Sequence, residues 1–225
     1  EGCIDGGRGQ FNEPWGIAVG PDGSVYVSDT WNHRVQKFTN DGQFVNMWGA
    51  FGSTGGELGQ ESIFYGPRSV TVGRDGNVYV MDTGNKRVQM FTPDGVFITQ
   101  WGGGGVVDGR LDEPVGLGQD ADGNWYITDT WNRRIQKFSE NFQYVAQWAV
   151  NGWGSQSVVN KPALAVDSTR GIVYAVDPEN YRVLAFGLDG TFKATWGLYG
   201  TDSTSFALPT GIAVGPDGKV YVADG

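Results

Sequence analysis

The sequence predicts an all-β fold, a β-propeller of four-stranded antiparallel blades, and three observations carry that expectation. The grammar Pro14-Trp-Gly-Ile-Ala-Val-Gly-Pro-Asp-Gly-Ser-Val-Tyr-Val-Ser-Asp-Thr-Trp-Asn-His-Arg-Val-Gln-Lys-Phe38 returns at Pro67, Pro114, Pro162 and Pro209, at spacings of 53, 47, 48 and 47 residues. Asp-Gly pairs punctuate the copies at Asp22-Gly23, Asp75-Gly76, Asp122-Gly123 and Asp217-Gly218, and again at Asp41-Gly42, Asp94-Gly95 and Asp189-Gly190. Asp-Gly is a hairpin signal because glycine accepts positive φ without a Cβ clash. Thirty-seven glycines, 13% aromatic residues and only 18% charged residues suit short strands and tight turns rather than long surface helices.

Taken in order, each unit reads as an apolar first strand, an Asp-Gly turn, and a second strand such as Val25-Tyr26-Val27. A polar turn, a third strand over 34–38 and a fourth ending at Trp48 follow. One such sheet cannot bury both faces, so neighbouring units must stack, and radial stacking makes a propeller. A parallel α/β fold is excluded because no helical period of about 10–15 residues separates the strands. The expectation is a single domain over 1–225 with blades at about 14–66, 67–113, 114–161, 162–208 and a partial 209–225. Residues 2–14 mirror the connector at 104–114, and the chain stops after Val220-Tyr-Val-Ala-Asp224, so the ring in this chain is expected to be incomplete. An unclosed ring exposes strand edges. The ring is therefore expected to be completed by the rest of its own chain or by another chain.

The run Val-Tyr-Val-x-Asp-Thr-x-Asn-x-Arg-Val-Gln-x-Phe, at 25–38, 78–91 and with small changes at 125–138, resembles the NHL repeat. Asn32 and His33 stand where that family's name-giving Asn and His stand, and the fourth copy departs with Asp177-Pro-Glu-Asn-Tyr-Arg-Val183. The resemblance implies a six-bladed propeller, of which this chain would hold four blades and half of a fifth. It also implies an extracellular module of a larger bacterial protein, at the cell surface or beyond it. The Gly-His and Trp-Asp landmarks of WD40 repeats are missing, and the paired glycines and tryptophan of kelch repeats lie elsewhere.

A formal charge of −9 opposes nucleic-acid or anionic-lipid partners, which reward clustered Lys and Arg. No stretch of about 20 apolar residues is present, so direct membrane insertion is not expected. The single cysteine, Cys3, can form no disulfide within the chain.

The recurring Asp29, Asp82, Asp129, Asp177 and Asp224 could suggest a ring of Ca²⁺-binding carboxylates. Because every blade has one, they read instead as devices that accept backbone N–H groups after the second strand. Asn32, Asn85, Asn132 and Asn180, with Arg34, Arg87, Arg134 and Arg182, receive the same structural reading. With one histidine, His33, and one cysteine, a multi-histidine zinc site or a Cys/His cluster within this chain is ruled out. A metal-dependent lactonase- or lyase-like enzyme, known among relatives of the resembled family, stays as the alternative function, with Ca²⁺ as its cofactor. Otherwise no cofactor and no catalytic residue is expected.

What differs between blades is more informative, since variable loops on a rigid scaffold carry recognition. In the turn between the second and third strands, Trp31 and Trp131 occupy equivalent places where Gly84 and Glu179 stand in other blades, and Arg133 follows Trp131 by two. Immediately after the blade-opening prolines stand Trp15 and Arg68, which a bland core strand would not need. The insertion from Ala50 to Gly66, with Glu57, Glu61, Phe64 and Tyr65, reads as an added contact loop. The leading expectation is a non-enzymatic binding or scaffold propeller. Its loop-bearing rim, through Trp15, Trp31, Glu57, Tyr65, Arg68, Trp131 and Arg133, would engage a protein, peptide or glycan. The tryptophans ending the fourth strands, Trp48, Trp101, Trp148 and Trp196, read as packing between blades.

Overall fold

The computed structural model describes residues 7–154 and 161–225 and resolves into two compact units, Glu1–Val106 and Val107–Gly225. Cys3 and the start of the opening connector lie outside the described residues. In the first unit, β1 (Pro14–Val19), β2 (Val25–Asp29), β3 (Arg34–Phe38) and β4 (Phe44–Trp48) form one antiparallel blade in chain order. A short parallel pair, β5 (Ala50–Phe51) and β6 (Ile63–Phe64), builds the inserted connector. The second blade comprises β7 (Ser69–Val72), β8 (Val78–Asp82), β9 (Arg87–Phe91) and β10 (Phe97–Gly102).

The second unit repeats the plan. Its first blade holds β11 (Pro114–Gln119), β12 (Trp125–Asp129), β13 (Arg134–Phe138) and β14 (Tyr144–Ala149). The next holds β15 (Leu164–Asp167), β16 (Ile172–Asp177), β17 (Arg182–Gly187) and β18 (Phe192–Trp196), and a hairpin of β19 (Pro209–Val214) and β20 (Val220–Asp224) follows. The described residues contain no α-helix, and none of their helices is long and apolar enough to cross a membrane.

The hairpins form where the Asp-Gly pairs predict. Gly23 and Gly42 adopt φ of 82° and 85°, and Asp22 accepts the Ser24 N–H at 2.9 Å, which closes the first turn locally. Between the second and third strands the chain makes one turn of 3₁₀ helix, Thr30–Asn32 in the first blade and Thr83–Asn85 in the second. His33 and Lys86 end those turns in the left-handed region.

Each unit has its own apolar core between sheets. In the first, Tyr26 and Val35 of one blade meet Val70, Val78, Val80 and Phe91 of the next, with Phe64 of the connector closing the end. Trp48 lies 5.8 Å from the Phe91 ring and against Gly95, where an added Cβ would stand 2.6 Å from the indole. Trp148 repeats this in the second unit, 5.9 Å from Phe186 and against Gly190. These two tryptophans do pack between blades, as the repeat implies. Trp101 is buried against Tyr79 of its own blade, and Trp196 stays partly exposed beside Tyr174. Tyr174, Val176, Val183 and Ala185 pack against Ile212, Val214, Val220 and Val222 of the last hairpin.

Candidate functional site

The rim is held by a polar clamp repeated in the first three blades, and the fourth keeps its Asp177, Asn180 and Arg182 part. The fully buried Asp29 carboxylate accepts the Asn12 N–H at 2.7 Å, Asn32 Nδ2 at 2.9 Å, Arg34 Nε at 2.7 Å and Gln36 Nε2 at 3.0 Å. Asp82 does the same with the Tyr65 N–H, Asn85, Arg87 and Gln89, and Asp129 with the Asp112 N–H, Asn132, Arg134 and Gln136. The guanidinium then reaches back to connector carbonyls, Gly7 and Gln10 for Arg34, Val107 and Arg110 for Arg134. The aspartate is thus more than a local turn device, because its backbone donor comes from 17 residues earlier and ties the connector to the blade. Burial pushes the Asp82 and Asp129 carboxyls upward, while the arginine, the amides and the backbone N–H favour the charged form. Among the described residues no three His, Cys, Asp or Glu side chains gather as a metal-ligand group.

The glutamines Gln36, Gln89 and Gln136 complete this clamp, each donating its Nε2–H to the aspartate. Their signal was the fixed offset of two residues after each arginine, which Leu184 breaks in the fourth copy.

In the first unit the turn after β2 and the following connector converge. The Trp31 N–H donates to the Asn12 carbonyl at 3.1 Å, and the Gly84 N–H to the Tyr65 carbonyl at 2.8 Å, so turns and connectors share one rim. His33 lies at the centre of an aromatic group: Phe51 at 4.8 Å, Trp31 at 6.1 Å and Tyr65 at 6.1 Å between ring centroids, with Phe51 and Tyr65 edge to face at 5.7 Å. Trp31, Tyr65 and Phe51 remain 40%, 41% and 64% exposed. Of the seven rim residues read from the sequence, Trp31 and Tyr65 therefore come together. His33 and Phe51, which join them, were not singled out as binding residues, because a lone histidine in a repeat turn and a phenylalanine in a loop carry no distance information. Gly84 explains why the second blade lacks a tryptophan: a Cβ there would stand 2.6 Å from the Tyr65 ring and carbonyl.

His33 Nδ1 accepts the Gly66 N–H at 3.1 Å, which fixes the neutral imidazole. Burial lowers the His33 pKa below its ordinary 6.5, against a weaker pull upward from Asp29. The folded state therefore binds fewer protons than the unfolded state just below pH 6.5, so the stabilisation is full above that pH and is lost as pH falls through the folded value. Denaturation midpoints measured between pH 5 and 8 are expected to fall on the acid side, by more in the native protein than in His33→Asn, which keeps a left-handed residue but cannot titrate. Equal acid sensitivity of the two would show that His33 does not set it.

Trp15 and Arg68 form a separate pair, with the guanidinium 4.5 Å from the indole, while Glu57 is exposed in the inserted connector. In the second unit Trp131 is half-buried, and Arg133 is exposed in the left-handed position equivalent to His33. Lys161 Nζ lies 5.7 Å from the Trp131 ring and 2.5 Å from Glu113 Oε1. A shallow cavity of about 270 Å³ between β14 and β17 is lined by Val150, Asn151, Arg182, Leu184, Phe186 and Phe192, none of them among the predicted rim residues.

The NHL repeat family model matches residues 11–38, 64–91 and 206–225. Protein brain tumor of Drosophila melanogaster is 31% identical over 96 residues, 42% of this chain and 9% of that protein. Human NHL repeat-containing protein 3 is 34% identical over 96 residues, 41% of this chain and 26% of that protein. The match thus spans about a quarter or less of these relatives. A streptogramin B lyase structure superposes over all of this chain and 64% of its own, with TM-score 0.65 and 18% identity, a likeness of fold. Sequence repeats, four-stranded blades and structural likeness agree on a β-propeller fold, with NHL repeats at the three matched segments.

Proposed function

We propose that this propeller is a non-enzymatic recognition module whose first-unit rim binds an extended segment of a protein. The single observation that carries the reading is the group of Trp31, His33, Phe51 and Tyr65, which keeps three large aromatic side chains partly in water although the same blades bury apolar residues efficiently. Rigid aromatic surface of this kind supplies contact area at low entropic cost and is enriched at binding anchors. The clamps of Asp29 and Asp82 hold both the turn and the connector, so the rings are positioned before any partner arrives. The inserted connector is the chain's own addition to the repeat and provides two of the rings. An extracellular setting and a part in a larger protein belong to the same proposal.

Selection of binders from a random peptide display library on the protein tests it. Trp31→Ala and Tyr65→Ala are each expected to weaken the selected peptides about 5- to 150-fold, corresponding to about 1–3 kcal/mol for an anchor residue, with far-ultraviolet dichroism unchanged. Peptides that bind both variants as well as the native protein would move the site elsewhere, and retention of oligosaccharides with no peptide selected would replace the protein partner by a glycan.

A further inference from the structure

Two blades carry the same pair, a glutamate at the start of the first strand and a tryptophan 18 residues later: Glu13 with Trp31, and Glu113 with Trp131. Both glutamates adopt the same left-handed backbone, φ 48°. In the second unit the pair holds an ammonium group supplied by the chain itself. Lys161, immediately before the proline that opens the next blade, extends over Trp131 and bonds Glu113, and only 6% of the lysine remains exposed. The position immediately before the corresponding proline in the first unit is Gly66. A Cβ built there would lie 3.5 Å from Trp31 Cζ3, so a side chain from that position would start out along the Trp31 ring, in the place taken by Lys161 beside Trp131.

Trp31 nevertheless keeps the rest of the arrangement. Its indole Nε1–H donates to Glu13 Oε2 at 3.0 Å, which holds the carboxylate of the exposed Glu13 beside the ring. A cation over an indole face gains from the ring quadrupole, and a carboxylate beside it adds an ion pair. Phe51 and Tyr65 extend the aromatic wall on the connector side, and the net charge of −9 favours arrival of a cation.

We infer that the Glu13–Trp31 pair is a binding site for the primary ammonium of a lysine side chain from the partner, the intermolecular counterpart of Lys161 on Trp131 and Glu113. The inference rests on the rim reading above and names the group that the rim takes. Arg68 does not fill the role, since its guanidinium is stacked on Trp15.

The test is titration of the protein with N-acetyl-lysine methylamide and, separately, with its Nε-acetylated form, following the indole N–H resonances by ¹H–¹⁵N correlation. The Trp31 signal is assigned by its loss in Trp31→Phe. The charged probe is expected to shift the Trp31 indole with roughly millimolar affinity, as suits one cation–π contact and one exposed ion pair. The acetylated probe is expected to leave it in place, and Glu13→Gln to weaken the response at least fivefold. In Lys161→Ala, the freed Trp131 indole should begin to respond to the charged probe. Equal shifts from both probes, indifference to Glu13→Gln, or a silent Trp131 in Lys161→Ala would overturn the inference. Peptides selected on the rim that keep their affinity for the protein after lysine acetylation would overturn it too while leaving the rim reading intact. Absence of any rim-dependent peptide removes both.

Discussion

Asp82→Asn is expected to lower the unfolding free energy by about 3–5 kcal/mol, the cost of removing one member of a buried ion pair. Asp82 and Arg87 have no exposed side-chain surface, and the carboxylate is the common acceptor for Arg87 Nε, Asn85, Gln89 and the Tyr65 N–H. An asparagine offers a single acceptor oxygen and brings two N–H donors into a shell already made of donors. The guanidinium is left charged and dry, held by the carbonyls of Gln60 and Ile63 and by Gln100. Asp224, which among the described residues accepts the Ala207 and Leu208 N–H groups at an exposed edge, should tolerate the same change with a much smaller loss. Urea denaturation of both variants checks this. Similar losses at positions 82 and 224 would show that the clamp's energy lies in its backbone acceptor bonds alone. The double variant Asp82→Leu/Arg87→Met should be less destabilised than Asp82→Asn, because no charge remains to be desolvated.

Phe91→Ala should cost about 3–5 kcal/mol, the range for deleting a fully buried aromatic ring. Phe91 is without exposed surface and touches three different elements: Trp48 at 5.8 Å, Phe64 at 5.8 Å and Phe97 at 5.9 Å. The cavity would open where the two blades of the first unit and their connector meet, and none of the three can collapse into it without leaving its own strand. Phe91→Leu retains most of the volume and should lose markedly less. Because Phe64 directly precedes Tyr65, the alanine variant should also loosen the rim, seen as faster amide exchange at Gly66 and Gly84, whose N–H groups are bonded to His33 and to the Tyr65 carbonyl. Unchanged exchange there would mean that the rim is held by the Asp82 clamp independently of the core.

The blades were legible because their signals are local and repeated. Asp-Gly turns, alternating apolar residues and a period near 48 each specify geometry within a few residues, and copies in register leave little freedom for the strands. Structural roles for Asp29, Asn32 and Arg34 were legible on the same ground, since a residue demanded by every repeat serves the repeat. The tryptophan of the first turn was legible as an exception to a pattern, and Gly84 as its replacement. His33, Phe51 and Glu13 were not, because their part depends on distances across 18 to 33 residues of chain that no periodicity encodes. Trp31 and Trp131 share the local run Asp-Thr-Trp-Asn, and what separates them lies 30 to 35 residues further along the chain: Lys161 fills the place over one indole, and Gly66 stands at the corresponding position beside the other.

The amino-acid sequence by itself determined the number and order of the blade strands, the turns that join them and the residues that recur as internal supports, because these follow from local backbone preference and repetition, whereas the short β5–β6 pair in the inserted connector was not legible. Only the tertiary structure decided which of the singular residues meet. Contacts between a turn and a connector depend on how the insertion from Ala50 to Gly66 folds back, and that is settled by the packing of Phe64 and the donors of the Asp82 clamp rather than by any pattern along the chain.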